Sequence, residues 1–119
     1  MIRGALIALF AMALPAVAQE QVNEGTGARL RALDKLTGHV EDLVIVNGGT
    51  QAFGRIRVAL RECRYPEGNP AGDAYAFVTV TETGKDVPVF SGWIVASSPA
   101  LNAMDHPRYD IWALACTTS

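Results

Sequence analysis

The stretch that decides the fold of this chain spans residues 55–63 and reads RIRVALREC. Ile56, Val58 and Leu60 alternate there with a second set of residues that includes three arginines. In an extended chain successive side chains point to opposite faces, so one face of this segment is apolar and the other is basic. The period of two predicts a β-strand with one face in a hydrophobic core and the other in water.

Other short runs of strand-forming residues lie on both sides of this stretch, separated by segments rich in turn-forming residues. The predicted strands cover residues 29–35, 40–46, 74–81, 87–96 and 111–116. The breaks at 36–39 and 47–49 contain glycine, which tolerates positive φ, and the long break at 64–73 contains two prolines and two glycines. This pattern predicts an all-β fold, either a small antiparallel β-sandwich or a partly open β-barrel.

One segment departs from the strand pattern. Ser97 or Ser98 can cap a single helical turn with Pro99 at its first position, and the residues that would fill the turn are Ala100, Leu101, Ala103 and Met104. We therefore expect one short helical turn before the last strand.

The N-terminus has the three parts of a secretory signal in order. Arg3 supplies the charge, residues 5–14 form an apolar run, and small residues end at Ala18. The run is shorter than the roughly 20 residues that span a bilayer, so the sequence predicts cleavage after Ala18 and export to the periplasm rather than an integral membrane protein. We divide the chain into a signal peptide (1–18), a flexible polar leader (19–27) and a single β domain (28–119).

The charge of the mature chain argues against one class of partner. The whole chain has ten basic and twelve acidic residues. When Arg3 leaves with the signal, nine basic residues remain against twelve acidic ones, a net charge of −3 with histidine neutral. Nucleic-acid-binding domains carry a basic excess, so no nucleic-acid partner is expected.

The chain has two cysteines, Cys63 and Cys116, each at the end of a predicted strand. In an oxidising compartment a disulfide between them would link the last strand to the middle of the sheet. The alternative is a pair of free thiols in redox exchange, but the close C-x-x-C spacing that lowers a thiol pKa is absent. We predict a structural disulfide.

The chain resembles an alphaproteobacterial envelope family, domain of unknown function 2155, over residues 28–116. Ile94 and Val95 replace the methionine and aromatic residue expected after Trp93. The resemblance implies an exported domain with paired cysteines, and it implies no activity and no catalytic residues. The residues that carry it are Phe90-Ser91-Gly92-Trp93, Ala96-Ser97-Ser98-Pro99-Ala100-Leu101, His106-Pro107, Tyr109-Asp110-Ile111-Trp112 and Cys116, with Leu33-Asp34-Lys35, Thr37-Gly38, Phe53-Gly54, Cys63 and Tyr65-Pro66 upstream.

Residues for enzymatic chemistry are present but not patterned. A nucleophile, a base and carboxylates occur close together as Ser97, Ser98, Asp105, His106 and Asp110, yet no G-x-S-x-G turn presents either serine. A cap, turn acceptors and a hydrogen-bonded loop histidine are the simpler interpretation, so we predict no enzyme and keep a hydrolase as the most remote alternative. The two histidines lie far apart without ligand spacing, so no metal site and no cofactor are predicted.

Two sets of side chains are candidates for binding. Arg55, Arg57 and Arg61 form a row that can contact carboxylate or phosphate, and a solvated outer face is its simpler interpretation. The segment before the last strand offers a candidate interaction surface formed by Ser97, Ser98, Leu101, Met104, His106 and Tyr109.

The sequence therefore predicts a non-catalytic periplasmic domain that serves as an accessory or interaction module of an envelope or inner-membrane protein complex. The alternative is a small-ligand or glycan (peptidoglycan) binding module, in which Tyr75, Trp93, Tyr109 and Trp112 would supply stacking rings. Tryptophans in apolar strands more often belong to the core, and we expect Trp93 and Trp112 to be core residues.

Overall fold

The computed structural model describes residues 21–119, and the predicted signal peptide lies outside this range, as do the first two residues of the predicted leader. The described residues form eight strands and no helix. The strands are β1 (Val22–Glu24), β2 (Gly27–Asp34), β3 (Val40–Val46), β4 (Thr50–Phe53), β5 (Ile56–Pro66), β6 (Tyr75–Glu82), β7 (Phe90–Val95) and β8 (Tyr109–Thr117).

The strands form two antiparallel sheets. The larger sheet has the order β1-β5-β6-β7, and β4 pairs with β5 as well. The smaller sheet has the order β3-β2-β8. The sheets do not close into a barrel, so the predicted all-β fold is confirmed and the sandwich is the correct one of its two forms. The predicted helical turn is wrong in detail, because residues 97–104 form reverse turns, one of them closed by a bond from the Leu101 N–H to the Ser98 carbonyl (3.0 Å).

The strand that decides the fold is confirmed in register as well as in position. Ile56, Val58 and Leu60 are almost fully buried, and the residues between them face outward. A bulge between Leu60 and Glu62 shifts the alternation by one residue, so that Cys63 also points into the core.

The core lies between the inner faces of the two sheets. It draws on alternate residues of β2, β3, β5, β6 and β8, as expected for half-buried antiparallel strands. The largest of its fully buried side chains are Tyr109, Leu30, Leu43, Ile45, Ile56 and Leu60.

The disulfide is present and joins the two sheets. Cys63 of β5 and Cys116 of β8 are bonded, with their Cα atoms 5.6 Å apart. Beside it the chain crosses from β1 in the larger sheet to β2 in the smaller one. The N–H of Gly25 donates to the Cys63 carbonyl (2.7 Å), and the N–H of Thr26 donates to the Thr117 carbonyl (2.8 Å).

The expected flexible leader is wrong for its C-terminal part. Residues 22–24 form β1, which pairs with residues 64–66 at the end of β5. β4 pairs with the beginning of β5 along the same edge. The polar composition of this segment suggested a flexible chain. Backbone hydrogen bonds to the part of the β5 edge that β4 does not cover hold the segment in place. Gly27 shows how tight the crossover is, because a Cβ there would overlap the Ile45 carbonyl oxygen.

Candidate functional site

The segment between β7 and β8 begins at an anchored position. The Ser97 hydroxyl donates to one Asp73 carboxylate oxygen (2.6 Å), and the Ser97 N–H donates to the other (2.9 Å), which also accepts the Ala74 N–H. Burial alone would raise the pKa of the Asp73 carboxyl, but these hydrogen bonds outweigh it and hold the pKa below its usual range. Both the hydroxyl and the N–H of Ser97 are therefore engaged with Asp73.

The middle of this segment folds back over the edge of β7. The Asn102 side-chain amide donates to the Trp93 carbonyl (2.8 Å), which uses a backbone group that an edge strand leaves open. Met104 turns inward and is 5% exposed, whereas Leu101 turns outward and is 74% exposed. The loop therefore presents one large apolar side chain to solvent while a second one holds it to the core.

A pocket of about 350 Å³ lies between this loop and β8. Trp112 belongs to the outer face of β8, because its neighbours Ile111 and Ala113 are buried. Asp110 is the one charged residue of a lining that is otherwise apolar. The residues that line the pocket are Pro99, Ala100, Ala103, Asp110 and Trp112.

The far end of the loop is fastened through His106. Its Nδ1 accepts the N–H groups of Arg108 (3.0 Å) and Tyr109 (3.1 Å). The Lys35 ammonium donates to the His106 carbonyl (2.6 Å), and the other ring nitrogen lies 3.6 Å from a Glu82 carboxylate oxygen. Both ends of the loop are thus held by side-chain hydrogen bonds.

Asp34 and Arg108 join this end of the loop to the β2–β3 turn. Arg108 donates to both Asp34 oxygens, with its Nε 3.1 Å from one and its Nη2 2.9 Å from the other. Asp34 is 7% exposed and also accepts the N–H of Leu36 (3.0 Å). The hydrogen bonds from Arg108 are the main cause that lowers the pKa of Asp34 to about 2. The ion pair between Asp34 and Arg108 therefore has a structural role, because it holds the end of the loop against the β2–β3 turn.

The predicted interaction surface changes in composition. Met104 and Tyr109 are buried, and His106 is largely enclosed, so these three cannot supply exposed contacts. The Tyr109 hydroxyl accepts the N–H of Arg55 (3.0 Å), which makes the tyrosine part of the core at the β4–β5 turn. Ser97, Ser98 and Leu101 are exposed as expected.

Sequence reasoning missed the pocket lining, and β8 shows why. Alternation alone did not show which residues of β8 face outward, because Trp112 and Cys116 are four residues apart and would point to the same face in a regular strand. A register shift opposite Arg29 and Leu30 places Leu114 outside the regular pairing, so that Cys116 points inward while Trp112 faces outward. No local signal reveals this, because a buried Cys116 with unbroken alternation would place Trp112 inside as well, and only the pairing of β8 with β2 shows the register shift.

The predicted arginine row lies on the outer face of the larger sheet. Arg57 and Arg61 are exposed on β5, and Arg55 is exposed in the turn before it. The Arg61 guanidinium carbon lies 5.0 Å from the centroid of the Phe77 ring. The row therefore continues into an aromatic cluster on the neighbouring strand.

The aromatic cluster extends across three strands. Phe77 and Trp93 are directly paired and meet edge to face at 5.4 Å. Arg64 lies 5.6 Å over the Trp93 ring and is paired with the Glu62 carboxylate at 3.0 Å. The expectation that both tryptophans are core residues is wrong, since Trp93 and Trp112 are half-buried on the outer faces of opposite sheets.

The residues with catalytic potential have other partners. Within residues 21–119 no hydrogen bond joins Ser97 or Ser98 to His106; Ser97 is bonded to Asp73, and the His106 Nδ1 is occupied by backbone donors. The same residues contain no cluster of three or more histidine, cysteine or acidic side chains suited to a metal ion. They also contain no helix of the length and apolarity needed to cross a membrane.

Fold and surfaces define a class of protein: a small disulfide-linked β-sandwich with an open apolar pocket on one sheet and an arginine–aromatic face on the other. The chain belongs to the family described as "Uncharacterized protein conserved in bacteria (DUF2155)", which it matches over residues 28–116. The resemblance noted in the sequence is thereby confirmed.

A similar protein is an uncharacterized protein of Rickettsia prowazekii (strain Madrid E), which is 33% identical over 94 residues. The match covers 76% of this chain and 61% of the relative, so the chain spans less than two thirds of the relative's length. No solved structure matches the chain.

Proposed function

We propose that this protein is a non-catalytic interaction module of the bacterial cell envelope, exported to the periplasm after cleavage behind Ala18. It acts as an accessory domain of an envelope or inner-membrane protein complex. The observation that carries the proposal is the open apolar pocket beneath residues 97–104, with the exposed Leu101 on the same loop.

The pocket has the size and chemistry to accept an apolar side chain from a partner protein. Its volume of about 350 Å³ lies at the lower end of the range for ligand pockets, and its walls are small apolar residues, one tryptophan and one carboxylate, Asp110. A tryptophan in a partly desolvated pocket is typical of the few residues that dominate binding energy at protein interfaces. Leu101 adds an apolar group that would otherwise remain in water.

The loop that forms the pocket is held at both ends, which favours binding. Ser97 is bonded to Asp73 at one end, and His106 and Arg108 are bonded at the other. A surface that already has its bound shape loses less conformational entropy on association. The fastening of this loop is therefore consistent with a docking surface.

Export is supported by the signal-like N-terminus and by the disulfide. Bonds between cysteines persist in oxidising compartments such as the periplasm and are rare in the cytosol. The test is to fractionate cells and determine the N-terminus of the mature protein, which we expect at Gln19. An intact N-terminus in the cytosolic fraction would contradict this part of the proposal.

The docking proposal is tested with two matched substitutions. Leu101→Asp and Val87→Asp each place a carboxylate at an apolar position about three-quarters exposed (74% and 75%), but only the first lies on the pocket loop. Tagged full-length protein is crosslinked in the native envelope and purified, and its partners are identified. We expect a reproducible envelope partner that is lost in Leu101→Asp and retained in Val87→Asp.

A second candidate is supported by one feature of the pocket. An aromatic ring and a carboxylate, Trp112 and Asp110, share its lining, and this pair is typical of sites for small ligands and glycans. Titration with soluble peptidoglycan fragments, followed by tryptophan fluorescence, tests it. Saturable quenching that is lost in Asp110→Asn, together with an empty crosslinking result, would favour the ligand site over the protein partner.

A further inference from the structure

We propose that the outer face of the larger sheet is a second docking site, which binds an acidic polypeptide segment of a partner protein through Arg57 and Arg61. The site is on the opposite sheet from the Trp112 pocket and does not depend on it. We call it the arginine face, defined by Arg57, Arg61, Arg64, Phe77 and Trp93.

The charge of the arginine face is opposite to that of the chain. The whole chain has a net charge of −2, yet this face has three arginines and two neighbouring acids, Glu62 and Glu24, of which Glu24 lies opposite Arg64 on β1. Glu62 is paired with Arg64. Within residues 21–119, neither Arg57 nor Arg61 forms an ion pair. Two guanidinium groups therefore stay available for carboxylates from outside.

The position of the Arg61 guanidinium over an aromatic ring favours carboxylate binding. It lies over the Phe77 ring at 5.0 Å, and Phe77 is supported by edge-to-face contact with Trp93. Stacking removes water from one face of a guanidinium and leaves the N–H donors along its edge free. A planar, partly desolvated donor set recognises a carboxylate with two parallel hydrogen bonds.

The same geometry disfavours a sugar at this face. A sugar stacks on an open aromatic face, and guanidinium groups already lie over both Phe77 and Trp93. The Arg64–Glu62 pair shows instead which ligand suits an arginine placed on a ring here, namely a carboxylate. The chemistry of the arginine face thus matches acidic side chains.

The spacing of the two free arginines fits an extended peptide. Arg57 and Arg61 are four residues apart on β5, and because Arg61 is the extra residue of the bulge, their Cα atoms are at most about 13 Å apart at roughly 3.3 Å per residue. In an extended ligand, residues four apart have a similar spacing and point the same way. An acidic segment lying along β5 would thus bring two carboxylates to the two guanidinium groups.

The probe is a capped, fluorescein-labelled octaglutamate peptide, and its anisotropy is measured against the full-length mature protein at low ionic strength. We expect saturable binding that weakens about tenfold in Arg61→Gln and further in the double variant with Arg57→Gln. Arg29→Gln removes the same charge from an exposed site on the smaller sheet and should change the affinity less than about twofold. Circular dichroism confirms that each variant is folded.

Two further variants sharpen the test. Arg61→Lys keeps the charge but loses the planar donor set, so we expect binding weaker than in the unmodified protein. Leu101→Asp should leave peptide binding unchanged, which separates this proposal from that of the pocket. Equal weakening by Arg61→Gln and Arg29→Gln, or unchanged binding in Arg61→Lys, would overturn the site as described.

Direct binding measurements identify other anionic partners. The binding of vesicles that contain phosphatidylglycerol and of a short single-stranded DNA is measured with the unmodified protein and with Arg61→Gln, beside the octaglutamate titration. If either binds through Arg61 while octaglutamate does not bind, the arginine face recognises phosphate and the proposal of an acidic polypeptide is wrong.

Discussion

Removal of the Cys63–Cys116 bond should strongly destabilise the domain. The perturbation is Cys63→Ala with Cys116→Ala, and the bond closes a loop of 53 residues. Loop-closure entropy for that length is about 14 cal/mol/K, which corresponds to about 4 kcal/mol at 25 °C. Domains of this size have free energies of unfolding of roughly 5–15 kcal/mol, so the loss is a large fraction of the total.

The structure also predicts where the effect is felt first. The bond joins the two sheets next to the crossover, where the N–H groups of Gly25 and Thr26 donate to the carbonyls of Cys63 and Thr117. Without the bond, this end of the sandwich can open before the rest of the core unfolds. We therefore expect that removing the disulfide accelerates hydrogen exchange at Gly25 and Thr26 more than at the centre of β5.

The assay is urea unfolding followed by tryptophan fluorescence and circular dichroism. The variant should unfold at a lower urea concentration, and its slope of free energy against urea should rise because the uncrosslinked denatured chain exposes more surface. Wild type in reductant should match the variant, while reductant should not affect the variant itself. A loss below about 1 kcal/mol with an unchanged slope, or two free thiols in unreduced wild type, would refute the reasoning.

Three other predictions concern the fastening of the loop and the crossover. Tyr109→Phe removes the buried hydroxyl that accepts the Arg55 N–H and should lower the free energy of unfolding by about 1 kcal/mol in the same urea assay; an unchanged midpoint would contradict this. Asp34 has a folded pKa of about 2 against an ordinary value of 3.8, so its contribution is complete above about pH 4 and is lost as the pH falls toward 2; Asp34→Asn should flatten the dependence of stability on pH in this window, and an unchanged profile would show that Arg108 does not stabilise the charged form. Gly27→Ala places a Cβ against a β3 carbonyl oxygen and should cost roughly 1–3 kcal/mol or shift the crossover; thermal unfolding at the wild-type temperature would show that the backbone adapts at little cost.

Patterns that repeat every two residues were predicted well. β3 was predicted from Val40 to Val46 and has these bounds, and β5 begins within one residue of its predicted start. The turn glycines Gly38 and Gly48 have positive φ values of 79° and 82°, as their place between the strands implied. Local alternation and turn chemistry act within a few residues, so sequence alone reveals them.

Errors arose where long-range contacts decide the outcome. Composition favoured a helical turn at residues 97–104, but Asp73 and the Trp93 carbonyl bind this segment from other parts of the chain. Met104 and Tyr109 were assigned to a surface because they lie in a loop and at a strand end, yet both fill the core. A residue's burial depends on what packs over it, which the local sequence does not state.

The sequence by itself determined the all-β class, most of the strands and the pairing of the two cysteines, because half-buried strands impose their period on the chain and only one pairing of two cysteines exists. Only the tertiary structure decided which face each tryptophan occupies and which residues line the pocket. Bulges at Arg61 and Leu114 shift the alternation by one residue, and such shifts follow from the pairing of distant strands. The proposed functional surfaces depend on those shifts, because they turn Cys63 and Cys116 inward while Arg61 and Trp112 stay outside.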